Sequence, residues 1–391
     1  MSVRPLHQLA RAACVLLVAA PAVAAPPCAD EPQMATEFGV TTAWGENLRS
    51  GAVPTPLSLA PDTRWIRVLL SSPQAAPDNW TLVIKDDRER PLQSFSSATV
   101  PRNQPFWTDR LPARSVNFHV EAPGEAATIA RAIEYVAMSS KATRPYYSIQ
   151  GATAAWKDLY AEPVDVFFRR RGESVGMFIS HSGNSNSGFK VWSCSGFVVA
   201  NEPKILFVTN DHCGGPWDSA DRWGSTVCRN AIIDFSWDGD VTSREYSCVK
   251  VYRSEANDLA VLELASLRPE PSPKSLVLRS TALNDEEIAV IHHPAALEKK
   301  ISNRCLATTP PAGGTVNVVR DFAHRCDTEA GSSGAPVLDV TGRIVGVHHV
   351  GFEKREGVCD MNNKAIRTTH LIAFLDELKT RHGLQGYRIE P

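Results

Sequence analysis

Apolar and polar residues alternate along short stretches in the first third of the chain. Residues 65–70 and 116–120 place large apolar side chains at every second position. A period of two predicts β-strands that bury one face. Clusters of Pro, Asp and Asn at 73–79 and 101–105 separate these strands. We therefore predict a small N-terminal β-sandwich over residues 25–145, which acts as a pro-domain or an accessory domain.

Short apolar runs recur from about residue 175 onward and are again separated by turn residues. Residues 205–208, 259–264 and 344–348 are examples, and leucines at helical spacing predict a helix near the C-terminus. This pattern predicts an all-β unit over residues 175–391 that ends in a helix.

Residues 146–174 have mixed character and are predicted to be a linker. The linker contains Arg169, Arg170 and Arg171 in succession. Such a run is either a processing site for a protease that cuts after basic residues or a solvated stretch. The sequence leaves both interpretations open.

Residues 1–24 have the pattern of a secretory signal peptide. Arg4 and Arg11 supply positive charge, residues 12–20 form a short apolar core, and Ala24 ends a small-residue cleavage site. We therefore expect a secreted or periplasmic protein. The rest of the chain has no apolar run of the roughly 18 residues that a membrane span needs. A formal net charge of -2 gives no reason to expect nucleic acid as a partner.

Nine cysteines occur in the 391 residues, and removal of the signal peptide removes Cys14. An even number in an exported chain favours disulfides, although eight cysteines allow about 105 pairings. No CxxC or HExxH motif is present, so we expect no metal site and no cofactor. The adjacent histidines at 292–293 and 348–349 do not change this, because neighbouring strand residues point to opposite faces. The eight cysteines are Cys28, Cys194, Cys213, Cys228, Cys248, Cys305, Cys326 and Cys359.

Three separated segments carry residues that suit covalent acyl transfer. Ser333 lies in the run GSSGAP, where glycines allow a tight turn that exposes the hydroxyl and brings backbone N–H groups together. His212 follows an apolar strand and precedes Cys213. Asp258 directly precedes another apolar strand, where its carboxylate can orient an imidazole. The order along the chain is therefore His212, Asp258, Ser333.

These segments resemble those of chymotrypsin-fold serine proteases, in which a His-Cys segment, an Asp-Leu-Ala-Leu-like strand and a Gly-x-Ser-Gly-x-Pro loop occur in this order. The likeness is closer to secreted bacterial glutamyl and lysyl endopeptidases and spans roughly residues 172–380. It rests on the motifs CDT at 326–328, GVHH at 346–349 and HHPA at 292–295.

The resemblance implies a fold and a role for each residue. The fold would be a double six-stranded β-barrel of chymotrypsin type with a C-terminal helix, and the active site would lie in the cleft between the barrels. Ser333 would be the nucleophile, His212 the general base and then acid, and Asp258 the orienting group. The backbone N–H groups of Gly331 and Ser333 would form the oxyanion hole.

The resemblance also bears on cross-links and activation. Cys194–Cys213 would lie beside His212, Cys305–Cys326 would brace the serine loop, and Cys228–Cys248 is the remaining local pair. Cys28 and Cys359 would then tie the N-terminal region to the protease domain. Ser332 stands where animal digestive enzymes carry an aspartate that pairs with a newly freed N-terminal amine. A serine cannot form that ion pair, so we expect no activation by that route.

The specificity pocket is expected to be lined by Asp327, Thr328, His348 and His349. Thr328 and His348 resemble the threonine and histidine with which glutamyl endopeptidases receive a carboxylate. Asp327 matches the position where trypsin-like enzymes hold an acid for Lys or Arg, or it makes a buried structural pair beside Cys326. The sequence favours the acidic preference only slightly.

We therefore expect a monomeric, exported serine endopeptidase that cleaves proteins or peptides through an acyl-enzyme, with a weak preference for bonds after acidic residues. Cleavage after Lys or Arg is one alternative. A catalytically inactive binding protein with a protease fold is another. An esterase of the α/β-hydrolase type is disfavoured, because no strand–elbow–helix pattern surrounds Ser333.

Overall fold

Strands predominate in the protein, as seen in a computed structural model, and helices are few in the part of the chain that it describes. No helix in that part is long and apolar enough to cross a membrane. The described residues are 36–52, 56–100, 102–123, 127–139, 146–181, 189–215, 222–238, 244–266, 271–308, 319–355 and 358–391.

Two sheets form the N-terminal β-sandwich. One contains β1, β2, β4, β7 and β9, and the other has the order β3-β8-β5-β6. Val68, Leu82, Phe118 and Ile129 are fully buried in the core between them, which fits the alternation in the sequence. The strands are β1 (Thr36–Ala43), β2 (Asn47–Arg49), β3 (Leu57–Ser58), β4 (Thr63–Ser71), β5 (Thr81–Asp86), β6 (Pro91–Ser96), β7 (Pro105–Trp107), β8 (Ser115–Glu121) and β9 (Thr128–Ser139).

The first barrel is a closed ring of six strands in the order β11-β14-β15-β16-β13-β12, in which β12 pairs back with β11. Closure leaves this sheet without free edges at those strands. The preceding segment and the barrel comprise β10 (Lys157–Asp158), α1 (Val166–Gly172), β11 (Val175–His181), β12 (Phe189–Ala200), β13 (Ile205–Thr209), α2 (Ser225–Asn230), β14 (Ile232–Asp234), β15 (Glu245–Ser254) and β16 (Leu259–Ala265).

The second barrel closes in the order β21-β18-β19-β20-β25-β22, in which β22 pairs back with β21. One apolar cluster joins both barrels to the terminal helix, where Leu371, Leu375 and Leu378 are buried at helical spacing. The elements are β17 (Leu278–Arg279), β18 (Glu287–His292), β19 (Lys300–Thr308), β20 (Asp321–His324), β21 (Pro336–Asp339), β22 (Ile344–Val350), β23 (Glu353–Arg355), β24 (Val358–Asp360), β25 (Asn363–Arg367), α3 (Thr368–His382) and β26 (Ile389–Glu390). The protein thus has the mostly β, double-barrel fold of chymotrypsin-like enzymes.

The sandwich and the first barrel share a continuous sheet, because β1 pairs with β9 on one side and with β12 on the other. Buried ion pairs reinforce the junction: Arg67 contacts Glu245, and Arg110 Nε lies 3.3 Å from Asp234 Oδ2. Residues 146–174 also contact the second barrel, because β10 pairs with β19. The three consecutive arginines lie on α1.

Three disulfides join cysteines that are close in sequence. They are Cys194–Cys213, Cys228–Cys248 and Cys305–Cys326, which are the local pairs that the resemblance implies. Such bonds are consistent with an extracellular or periplasmic protein. The signal peptide and Cys28 lie outside the described residues, so the Cys28–Cys359 pairing stays a prediction.

Candidate active site

Strand pairing in the first barrel brings His212 next to Asp258. β13 and β16 pair in antiparallel register, with Thr209 opposite Ala260, so the segments that follow one strand and precede the other lie side by side. His212 is on the short 3₁₀ turn after β13. Asp258 directly precedes β16 and has a left-handed backbone with φ of 52°. Left-handed backbone is uncommon outside glycine and is a form of strain often found at functional sites.

The Asp258 carboxylate binds both the backbone and the ring of His212. The His212 backbone N–H donates to Oδ1 at 3.0 Å, and Nδ1 lies 2.9 Å from Oδ2. Asn210 Nδ2 donates to the Asp258 carbonyl at 2.9 Å. These contacts place the proton on Nδ1 and leave Nε2 as the basic nitrogen. Burial alone would raise the pKa of Asp258, but the nearby His212 and its hydrogen bond hold that pKa far below the ordinary value.

Asp211, next to His212, anchors the 3₁₀ turn that carries His212. The sequence did not indicate a role for it. Its buried carboxylate accepts a hydrogen bond from Arg253 Nε at 2.7 Å and another from Arg222 Nη1 at 3.2 Å. The Trp223 indole donates to the Asp211 carbonyl at 2.7 Å. The ion pair between Asp211 and Arg253 is apparent only in the tertiary structure, because Arg253 lies on β15.

Ser333 lies on a tight turn that is held by the first barrel. The Ser195 N–H donates to the Ser333 carbonyl at 2.8 Å, and Ser195 Oγ donates to the Gly331 carbonyl at 2.9 Å. Gly331 and Gly334 both have left-handed backbone, with φ of 95° and 87°. A Cβ at Gly334 would lie 2.2 Å from the Ser195 carbonyl oxygen, so only glycine fits there.

The Cys194–Cys213 disulfide links the turn that carries His212 to the strand whose Ser195 holds the Ser333 turn. A ring nitrogen of His212 and the sulfurs of Cys194 and Cys213 all lie within 4.8 Å of one another. This group does not form a metal site, because both sulfurs are bonded to each other. Cys194 is followed by Ser195, which holds the Ser333 turn. The fold therefore gathers the three segments that carry His212, Asp258 and Ser333 at the boundary of the two barrels.

Asp327 and Thr328, two residues expected in the specificity pocket, have different surroundings. The Asp327 carboxylate accepts hydrogen bonds from the backbone N–H groups of Gln150 and Ala155, each at 2.7 Å. Thr328 is fully buried, and its hydroxyl has no hydrogen-bond partner among the described residues. A buried hydroxyl without a partner is uncommon in folded proteins.

His348 is buried and paired with a second histidine. Its Nδ1 lies 3.1 Å from Nε2 of His324, which is on β20. Burial lowers the pKa of His324 to about 3 and holds the pKa of His348 well below 6.5. Both imidazoles are therefore neutral near pH 7. Sequence reasoning did not select His324, since its closeness to His348 depends on the pairing of β20 with β25.

His349 points away from His348 and lies between two aspartates. Its Nδ1 is 3.2 Å from Asp258 Oδ2, and its Nε2 is 3.4 Å from Asp321 Oδ2. Arg320 donates to both oxygens of the same Asp321 carboxylate, from Nε to Oδ1 at 2.7 Å and from Nη2 to Oδ2 at 2.9 Å. Burial would lower the pKa of His349, but hydrogen bonds to Asp258 and Asp321 raise it above 6.5.

A family model and several solved structures are similar to part of this chain. Residues 194–347 match the model of the trypsin-like peptidase domain. Among solved structures, the active form of the Rv3671c protease from M. tuberculosis is 17% identical, covers 57% of this chain and 88% of its own, and has a TM-score of 0.40. A serine endoprotease from Yersinia pestis is also 17% identical, covers 56% of this chain and 66% of its own, and has a TM-score of 0.38. Both TM-scores are below 0.5, so the assignment to the serine endopeptidases depends on the domain match and not on these structures. That match and the two closed barrels support a serine endopeptidase, a hydrolase of chymotrypsin-like fold.

Proposed function

We propose that the chain is an exported serine endopeptidase with a Ser333, His212 and Asp258 triad. Ser333 Oγ attacks the carbonyl carbon while His212 Nε2 takes its proton. The backbone N–H groups of Gly331 and Ser333 stabilise the oxyanion. His212 then returns the proton to the leaving amine, and water hydrolyses the acyl-enzyme by the reverse sequence. The contact of 2.9 Å between His212 and Asp258, within a trypsin-like peptidase domain, is the observation that carries this proposal.

We further propose a preference for cleavage after an acidic residue. Two features support it over cleavage after Lys or Arg. The Asp327 carboxylate, which would have to receive a basic side chain, is already bound to two backbone N–H groups. The buried Thr328 hydroxyl has no hydrogen-bond partner among the described residues and can donate to a substrate carboxylate.

His348 supplies a second donor in this proposal. If His324 Nε2–H donates to His348 Nδ1, the remaining His348 proton is on Nε2 and is available to a substrate. The opposite arrangement would put a proton on His324 Nδ1, which is buried and has no hydrogen-bond partner among the described residues. An unpartnered buried donor costs free energy, so the first arrangement is favoured.

Covalent labelling tests the enzyme class. An organophosphonate should modify Ser333 in the folded protein and should fail to modify Ser333→Ala or heat-unfolded protein. Absence of labelling in folded protein would favour a binding protein without turnover. Cleavage of a mixed peptide library tests the preference: cuts after Glu or Asp support the roles of Thr328 and His348, and cuts after Lys or Arg refute them.

A further inference from the structure

Residues 146–156, part of the predicted linker, run along the loop that carries Ser333. Within this segment, Gln150 and Ala155 donate their backbone N–H groups to the two carboxylate oxygens of Asp327, each at 2.7 Å. Asp327 is 5% exposed, so this pair of bonds is sheltered from water. A charged acceptor that holds two backbone donors makes hydrogen bonds stronger than those between neutral groups.

Glu329 makes a second set of contacts with the same segment. Its Oε2 accepts from the backbone N–H groups of Tyr147 and Ser148, and its Oε1 accepts from Ala330 N–H at 3.0 Å. In return, the Ser148 carbonyl accepts from Thr328 N–H at 3.1 Å. Asp327 and Glu329, on the loop that leads to Ser333, thus hold residues 146–156 through hydrogen bonds to backbone N–H groups.

Ser148 also reaches the other border of the expected specificity pocket. Its hydroxyl accepts from Phe352 N–H at 3.2 Å, and its carbonyl accepts from Asn363 Nδ2 at 3.1 Å. A Cβ at Gly351 would come within 2.1 Å of Ser148 Oγ. Ser148 therefore packs between the loop before Ser333 and the chain that follows His349.

The segment also contacts His292, which in turn contacts Ser332, the residue before Ser333. Trp156 packs edge-on against His292, with ring centroids 5.8 Å apart, and Tyr146 packs against Trp156 in the same manner at 4.9 Å. Burial lowers the pKa of His292 to about 3, so its imidazole is neutral near pH 7. The Ser332 hydroxyl lies 2.7 Å from His292 Nδ1 and accepts from Glu329 N–H at 3.1 Å. These contacts fix Ser332 without an ion pair.

We propose that residues 146–156, with the chain uncut, position the Ser333 loop for catalysis through Asp327 and Glu329. This inference rests on the proposed protease function. The oxyanion donors are backbone groups of the loop, and misplacement of such donors by about 1 Å costs on the order of a hundredfold in rate. Asp327 and Glu329 are positioning residues here. The bonds that the segment supplies do not depend on a free N-terminal amine.

The first experiment labels the purified full-length protein with a fluorophosphonate and measures the mass of each labelled species. The proposal expects the label on molecules that are uncut between residues 146 and 174. It is overturned if only molecules cut in that range carry the label. If no molecule carries it, the proposed protease function fails instead, so the two failures are distinguishable.

The second experiment compares Asp327→Asn with a matched control. Asp339 is also buried in the second barrel and also accepts hydrogen bonds from two backbone N–H groups, those of Thr341 and Arg343, but it lies at the end of β21. Asp327→Asn should lower kcat by about tenfold to a hundredfold with little change in KM. Asp339→Asn should lower the unfolding midpoint and leave kcat within about threefold of the parent.

Three results would contradict the proposal in this second experiment. Equal kcat values for Asp327→Asn and the parent would show that the bonds are only structural. Equal losses of kcat in both variants would show a general loss of stability. A rise of kcat in Asp327→Asn would show that the segment restrains the enzyme, which is the opposite role.

Discussion

His349 Nδ1 lies 3.2 Å from the Asp258 carboxylate oxygen that also lies 2.9 Å from His212 Nδ1. One oxygen of the proposed catalytic aspartate is therefore shared by two imidazoles. Asp321 contacts the far side of the His349 ring, and the two carboxylates favour the charged form of His349. A cation at this position compensates the negative charge of the half-buried Asp258 when His212 is neutral.

Substitution His349→Gln should lower both activity and stability at neutral pH. Glutamine can donate one hydrogen bond to Asp258 but carries no charge. We expect kcat to fall by about tenfold. The Asp258 carboxylate loses its contact with the charged His349 ring and is then held less firmly against His212, whose imidazolium it stabilises. Steady-state kinetics on a peptide substrate measure the effect, and kcat equal to that of the parent would exclude a positioning role for His349.

The pH dependence of stability should carry the signature of His349. The pKa of His349 is 6.5 in the unfolded chain and higher in the folded protein. Its contribution to the free energy of unfolding is therefore complete below pH 6.5 and is lost as the pH rises through the folded pKa. The pKa of Asp258 is lowered, so its contribution is present above 3.8 and is lost as the pH falls through its folded value. The difference in thermal midpoint between the parent and His349→Gln should therefore be largest near pH 5.5 and shrink toward alkaline pH. A constant difference across this range would contradict the charged state.

Removal of the triad residues should abolish turnover while leaving the fold intact. Ser333→Ala and His212→Ala should each lower kcat by at least about a thousandfold, and the double variant should lose little more, because the residues act as a unit. Circular dichroism and thermal unfolding check that the fold is retained. Independent, multiplicative losses in the double variant would be inconsistent with a shared mechanism.

Thr328→Val tests the acidic preference by removing a hydroxyl with almost no change in volume. We expect kcat/KM for a substrate with Glu before the cleaved bond to fall by about tenfold, the size of one lost hydrogen bond to a charged group. The matching substrate with Gln should lose less, because its amide is uncharged. Equal losses for the two substrates would argue against carboxylate recognition by Thr328.

Two disulfides with nearly equal loops offer a test of the scaffold around His212. Cys194–Cys213 spans 19 residues and Cys228–Cys248 spans 20, so replacing either pair by alanine should lower the free energy of unfolding by about 3 kcal/mol. Only the first pair lies against His212. Its removal should also lower kcat, whereas removal of the second should not. Denaturant unfolding and kinetics measure the two effects, and equal kcat values would contradict the link.

Local patterns in the sequence predict strands and a C-terminal helix, and the resemblance to chymotrypsin-fold proteases implies the double barrel, which the structure confirms. Period-two alternation predicts strands such as β4 and β8, because a strand with one buried face needs that spacing. The leucines of α3 are buried at the predicted helical spacing. Alternation in β22 also predicts that His348 and His349 face opposite sides, and one contacts His324 while the other contacts Asp258.

The surroundings of the pocket residues could not be predicted in this way. The sequence leaves open whether Asp327 receives a substrate or makes a buried structural pair, and it gives no sign that the partners are Gln150 and Ala155, more than 170 positions earlier. The mixed composition of 146–174 predicts a linker, whereas its backbone contacts the serine loop. Backbone donors leave no mark in side-chain patterns, so sequence reasoning has no signal for them.

The sequence by itself determined which segments become strands and which residues have suitable chemistry, because periodicity and side-chain type are local properties. Only the tertiary structure decided the partners of those side chains, such as Asp321 for His349 and the segment 146–156 for Asp327 and Glu329. The physical reason is that hydrogen bonds and burial depend on distances in space, which are set by strand register and barrel closure rather than by separation along the chain.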